Sequence, residues 1–326
     1  MPEITLIDAI TQALAYELQA DKDVVLLGED IGVNGGVFRA TNGLQQRFGK
    51  MRVVDTPLAE SMIAGISIGM ASQGLKPVAE FQFLGFIYPA LDQIINHASR
   101  LRNRTRGRLT CPMVCRTPYG AGIHAPEHHS ESTEAFFAHT PGLRVVIPSS
   151  PARAYGLLLA AIRDPDPVIY LEPSRIYRLV KQDVPDNGIA LPLDKCFVLR
   201  EGSDITLVSW GAMMHETLAV AKQLETQGIQ AEVIDVATIK PLDIQTILNS
   251  VEKTGRCVII HEAHRTCGVG AEIAAQIAEY SLLSLRAPIM RVTGYDIIVP
   301  YAKMEKQYLP SEARILHAVK QVMEFA

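Results

Sequence analysis

Long apolar runs are missing from this chain: no segment approaches the roughly eighteen consecutive apolar residues of a membrane span. A basic excess is missing too. Thirty-one Lys and Arg stand against 35 Asp and Glu, a formal net charge of −4, which argues against a nucleic-acid partner. Cysteine is sparse: the five residues 111, 115, 196, 257 and 267 are odd in number and scattered, as in reduced, mostly buried thiols rather than a disulfide framework. Cys111 and Cys115 face no second Cys pair, so a zinc site there has little support. There is no Gly-Lys-Ser/Thr phosphate loop, and Gly268-x-Gly270 lacks the third small residue of a dinucleotide fingerprint. The first residues, Met1-Pro2-Glu3-Ile4-Thr5, carry neither a basic region nor an apolar run and do not read as a signal peptide. A cytoplasmic location is expected, without membrane attachment.

What is present is an alternation of strand-length apolar runs with helical periodicity, over a length of 326 residues and a hydrophobic content of 48%. These values suit two domains with substantial cores. Thr5 is placed to cap a helix carrying Ile7, Ile10, Leu14 and Leu18. Strands are expected at 24–27, 78–81, 113–116, 145–147 and 168–171, with helices at 61–73, 90–104 and 153–162. Gly65 and Gly69, four apart in the 61–73 helix, would let another backbone pack closely. Prolines 173, 185 and 192 with the turn-like Asp186-Asn187-Gly188 mark a linker. Beyond it, strands at 205–210, 231–236, 257–260 and 289–292 alternate with helices at 215–227, 244–251, 271–280 and 312–323. The expectation is an α/β fold with a mostly parallel sheet in each of two domains, 1–187 and 188–326.

Sites in such sheets lie beyond the carboxyl ends of the strands. Glu29, Glu60, Phe86 and the loop 117–134 all fall at such ends. Glu60 opens a helix, where the helix dipole alone favours a carboxylate; the alternative is a proton-shuttling acid facing a heteroaromatic ring. The loop Gly120 to Glu131 holds three histidines, and His124-x-x-Glu127-His128 matches an inverted zinc-protease pattern. That pattern needs a helix, and Gly120, Gly122 and Pro126 argue for irregular backbone. Acid–base work on a small substrate suits the loop better. The arginines 100, 102, 104, 106 and 108 read as a solvated helix end without the interleaved aromatics of a nucleic-acid patch. Asp164-Pro165-Asp166-Pro167 follows a helix and reads either as a surface turn or as a cation site. In the second domain His261-Glu262-Ala263-His264-Arg265 is the one polar cluster at a comparable strand end.

Several segments together carry a resemblance. They are Gly28-Glu29-Asp30, Asn34 through Thr41, Asp55-Thr56-Pro57-Leu58-Ala59-Glu60, Gln82-Phe83, Gly85-Phe86, His129-Ser130, Pro141-Gly142-Leu143, Pro167 through Tyr170, Asp235 through Asp243, and Glu262-Ala263. Nearly end to end, the chain resembles the beta subunits of the thiamine diphosphate-dependent decarboxylating component of 2-oxoacid dehydrogenase complexes. The bacterial pyruvate dehydrogenase type with separate alpha and beta subunits is the nearest in pattern.

The resemblance implies a transketolase-like fold: a pyrimidine-binding domain followed by a transketolase C-terminal-type domain. It implies decarboxylation of a 2-oxoacid, pyruvate first, and transfer of the acyl unit to a lipoyl group on the acyltransferase core. Carried over by motif, Glu60 would bond the pyrimidine N1′ and drive formation of the cofactor carbanion. Phe86 would pack on the aminopyrimidine ring and Leu58 line the same pocket. His129 would serve reductive acylation, and Glu29 would join an acidic path near Glu60. A potassium site would use Asp164, Asp166 and backbone oxygens near Met113 and Ala161. The Gly-Asp-Gly diphosphate signature is absent, in keeping with a family whose alpha subunit binds magnesium and diphosphate in an alpha2beta2 heterotetramer. Rival readings are a branched-chain 2-oxoacid or acetoin dehydrogenase beta subunit, a non-catalytic assembly subunit, and a metallohydrolase built on the His124 loop.

Overall fold

A computed structural model describes residues 3–325; the Met1-Pro2 of the N-terminal reading lies outside them. Fourteen strands form three sheets among these residues. In chain order they are β1 (Ile4–Thr5), β2 (Val24–Gly28), β3 (Val53–Asp55), β4 (Lys76–Glu80), β5 (Val114–Tyr119), β6 (Arg144–Val146), β7 (Val168–Pro173), β8 (Lys181–Gln182), β9 (Phe197–Arg200), β10 (Ile205–Ser209), β11 (Ala231–Asp235), β12 (Thr238–Lys240), β13 (Cys257–Ile260) and β14 (Met290–Val292). A seven-stranded sheet runs β12-β6-β7-β5-β4-β2-β3, and a five-stranded sheet runs β14-β13-β10-β11-β9. All pairings in the larger sheet are parallel except that of β12 with β6. In the smaller sheet β9 alone is antiparallel.

The helices form where local chemistry ends them well. Thr5 and Asp8 close a reciprocal capping box at the start of Leu6–Ala20. Ser150 caps Pro151–Arg163, whose proline occupies the first turn, where no amide partner is required. These two helices pack Leu6, Ile10, Leu14, Leu157 and Leu158 onto one face of the large sheet. The other face carries Ile63, Ala64 and Ile94, and its apolar layer runs on into Val208, Ile234 and Ile259 of the small sheet. One core therefore joins the two halves. Helices Met213–Thr226 and Glu312–Met323 cover the outer face of the small sheet with Val220, Leu224, Ile315 and Val319.

One expectation changes. The region 90–104 is not one regular helix; 3₁₀ turns and a π turn at Gln93–His97 interrupt it. Side chains take its carbonyls: Ser99 Oγ and Arg100 Nε donate to Ile95 O, and Arg104 donates to Asn96 O. At Gly65 and Gly69 no other backbone among the described residues packs closely. Only the Gln93 side chain approaches Gly65, and Gly69 faces open space.

Four cysteines are buried and Cys267 is exposed, all as free thiols. Among the described residues no helix is long and apolar enough to cross a membrane.

Candidate active site

Four parallel strands, β5, β4, β2 and β3, lie side by side. The segments leaving their carboxyl ends bring the expected residues to one sheet edge in the order His129, Phe86, Glu29 and Glu60. Glu60 opens the helix Glu60–Ser72 and is half-buried rather than enclosed. Among the described residues no side chain hydrogen-bonds its carboxylate. Glu29 follows β2 directly; burial, then the charges of Asp30 and Glu60, push its carboxyl above the ordinary range. Leu58 stands 70% exposed.

Phe86 and His129 meet edge to face at 5.0 Å. Phe83, which the sequence reading gave no role, completes the cluster at 4.5 Å from His129 and 5.7 Å from Phe86. The histidine loop is irregular, with positive φ at Gly120, Gly122, His124 and Glu127 and one 3₁₀ turn at Glu127–His129. Its histidines face different partners. His124 Nδ1 pairs with Glu305 at 2.6 Å, His128 lies 6.5 Å from the Phe86 ring, and His129 Nδ1 meets Pro126 O at 3.1 Å. The backbone of His128 sits against Gly85, where any Cβ would fall 2.4 Å from its carbonyl oxygen.

Below this edge lies a buried ionic triad. Arg116, on β5, is 2% exposed and donates to Glu172 Oε1 at 2.7 Å, to Glu172 Oε2 at 2.9 Å, and to Glu80. Tyr177 OH adds a bond to Glu172 Oε2 at 2.6 Å. Burial opposes the guanidinium charge, but Glu172 and Glu80 outweigh it and hold the pKa above its usual value. Burial raises Glu80 despite Arg116. The sequence pointed to none of these residues, because charged side chains inside strands read as surface until their partners are known.

The Asp164 turn is already occupied by protein groups. Arg144 pairs with Asp164 at 3.0 Å and Arg102 with Asp166 at 2.7 Å. Asp164 Oδ1 accepts the Asp166 amide, and the Met113 and Ala161 carbonyls accept from Val168 and Asp164. Among the described residues no group of three or more His, Cys, Asp or Glu is arranged to hold a metal ion.

Residues 2–180 match the transketolase pyrimidine-binding domain, and residues 194–315 match the transketolase C-terminal domain. Over its full length and theirs, the chain is 47% identical to the pyruvate dehydrogenase E1 component subunit beta of Bacillus subtilis and 48% identical to that of Staphylococcus epidermidis strain RP62A. The chain belongs to the pyruvate dehydrogenase E1 beta-subunit family. The transketolase-like fold recurs in a solved split-gene transketolase, described as an inactive beta4 tetramer, with a TM-score of 0.79, 23% identity and 99% of each chain covered. As a member of the E1 beta family this chain is a component of a 2-oxoacid dehydrogenase.

Proposed function

We propose that this chain supplies the pyrimidine side of a thiamine diphosphate site shared with an alpha subunit, in an enzyme that decarboxylates pyruvate and acetylates a lipoyl group. The observation that carries the reading is the row of His129, Phe86, Glu29 and Glu60 along one strand edge beside a largely exposed Leu58: one wall of a pocket.

The residues present fit the cofactor's pyrimidine end. Glu60 offers a carboxylate that no side chain among the described residues occupies, and Phe83 and Phe86 offer aromatic surface. When bound, thiamine diphosphate supplies the electron sink for loss of CO2. Glu60 would hold and return a proton at the pyrimidine nitrogen. Phe86 would pack on the ring, Leu58 would line the same pocket, and Glu29 would join an acidic path to Glu60. His129 faces the substrate and gives or takes a proton as the lipoyl sulfur is acylated.

Magnesium and the diphosphate fall to the alpha subunit, the assembly is an alpha2beta2 heterotetramer in the cytoplasm, and a lipoyl-bearing acyltransferase takes the product. The outer face of the helix Glu60–Ser72, with Gly65, Gly69 and the exposed Ile66, is the surface assigned to the alpha subunit. Potassium at the Asp164 turn would use the second lone pairs of the Met113 and Ala161 carbonyls, with Arg102 and Arg144 already balancing the two carboxylates. Residues 1–187 and 188–326 act as the two domains.

The test is decarboxylation of pyruvate and of a branched-chain 2-oxoacid, with thiamine diphosphate and magnesium, by the chain alone and co-expressed with its alpha partner. Activity confined to the mixture, with pyruvate preferred, supports the proposal. Activity of the chain alone refutes the shared site.

A further inference from the structure

The histidine loop is held at one end by the aromatic cluster and at the other by carboxylates from the second half of the chain. Glu262 follows β13 at its carboxyl end and is buried. Its Oε2 accepts the Ala121 amide at 2.9 Å. Glu305, on the short helix Ala302–Tyr308, is 1% exposed. It accepts the Gly122 amide at 2.7 Å and the His124 amide at 3.2 Å, and pairs with His124 Nδ1 at 2.6 Å.

The loop is shaped for this grip. Gly120 has φ +89°, and a Cβ there would meet the Glu262 carboxylate at 2.6 Å. Gly122 has φ +101° and lies under the Arg175 stem, which is fixed by a two-pronged bond to Glu216 at 2.6 and 3.0 Å. The Ala121 methyl is buried with Val299 and Tyr308 of the second half. Two buried carboxyl groups thus collect three loop amides in the manner of a backbone nest, and burial pushes Glu262 up to about 7.

We propose that Glu305 and Glu262 are positioning residues. From the second half of the chain they clamp the backbone of Ala121, Gly122 and His124, and so hold His129 against Phe83 and Phe86 in register for acyl transfer to the lipoyl sulfur. The part about acyl transfer rests on the function proposed above; the clamp itself does not. The second domain then sets the geometry of the half-reaction involving the lipoyl group, in addition to any part in assembly.

The experiment uses the assembled enzyme with Glu305→Ala and Glu305→Gln, and two readouts. Hydrogen exchange is followed at the Gly122 and His124 amides. Lipoyl acetylation is measured against pyruvate decarboxylation with an artificial electron acceptor. Glu305→Ala is expected to speed exchange by about tenfold or more, the worth of one charge-assisted hydrogen bond in a local equilibrium. It should lower the ratio of acetylation to decarboxylation by about tenfold. Glu305→Gln fills the same space and keeps one acceptor oxygen, so it folds even where the alanine variant does not. It should raise exchange about threefold and recover part of the ratio. Unchanged exchange in both variants overturns the clamp. Faster exchange with an unchanged ratio overturns the positioning of His129. Should the wild-type assembly fail to decarboxylate pyruvate, the proposed function falls, and the exchange result still decides the clamp.

Discussion

Replacing Arg116 with Met should destabilise the protein more at alkaline than at acidic pH, and the size of the effect follows from the triad. Arg116 is the one cation paired with Glu80 and Glu172 among the described residues, and all three groups are buried. Met fills much of the same space but leaves two neighbouring carboxylates without a counter-charge. Breaking a buried pair by removing one partner costs about 3–5 kcal/mol. For a unit of roughly 150–250 residues that lowers the melting midpoint by about 6–20 °C.

The sign of the pH dependence is fixed by Glu80, whose carboxyl burial already raises. Without Arg116 it rises further, so the native state binds more protons than the unfolded state across the window between the two pKa values. Stability is full below the unfolded value and is lost as pH rises through the folded one. Thermal unfolding followed by circular dichroism at pH 5.5 and pH 8 should show the larger deficit at pH 8. Glu80→Gln in the same background should restore part of it. A midpoint within about 2 °C of wild type at both pH values would refute the reasoning, since a broken buried pair cannot cost so little.

Glu60→Gln should leave assembly intact by size-exclusion chromatography and lower decarboxylation by about a hundredfold or more; near-normal turnover removes its assigned role. His129→Ala should slow lipoyl acetylation more than decarboxylation, which single-turnover assays of each half-reaction separate. Gly69→Leu, at a position facing open space in the chain alone, should abolish co-purification with the alpha subunit while leaving the circular dichroism spectrum of the chain unchanged. Glu134 is fully buried, accepts from Tyr119 OH at 2.9 Å, and is pushed up to about 8 chiefly by burial. It therefore costs stability as pH rises from its unfolded value toward 8, by up to about 1.4 kcal/mol per pH unit. Glu134→Gln should flatten that slope in urea titrations between pH 6 and 9.

Legibility in the sequence tracked the range of the interactions involved. Cys257–Ile260 and Glu312–Met323 have the bounds the sequence suggests, because an apolar run and a 3.6-residue period are local signals. Of the edge that gathers Glu29, Glu60, Phe86 and His129, Glu29 and Phe86 were readable because each follows a strand-length apolar run within a few residues, whereas Glu60 and His129 were placed by the motifs around them. Five short strands, β1, β3, β8, β9 and β12, were not, since so few residues carry little pattern and form only against a partner. Glu305 left no trace for the same reason: a glutamate in a polar seven-residue helix looks solvated until the distant loop that it binds is placed beside it. Close packing at Gly65 and Gly69 depends on a neighbouring backbone, and none among the described residues comes within reach of either.

The strand β12 comes from the second half of the chain yet closes the outer edge of the first sheet, against β6. During synthesis the ribosome delivers the first six strands of that sheet long before Thr238–Lys240 emerges. Until then the Arg144–Val146 backbone presents unpaired amides and carbonyls, a ready template for another nascent chain. The first half therefore folds with that edge open. The edge is sealed by a segment made later, so the interval between the two is when it is most exposed to pairing with another chain.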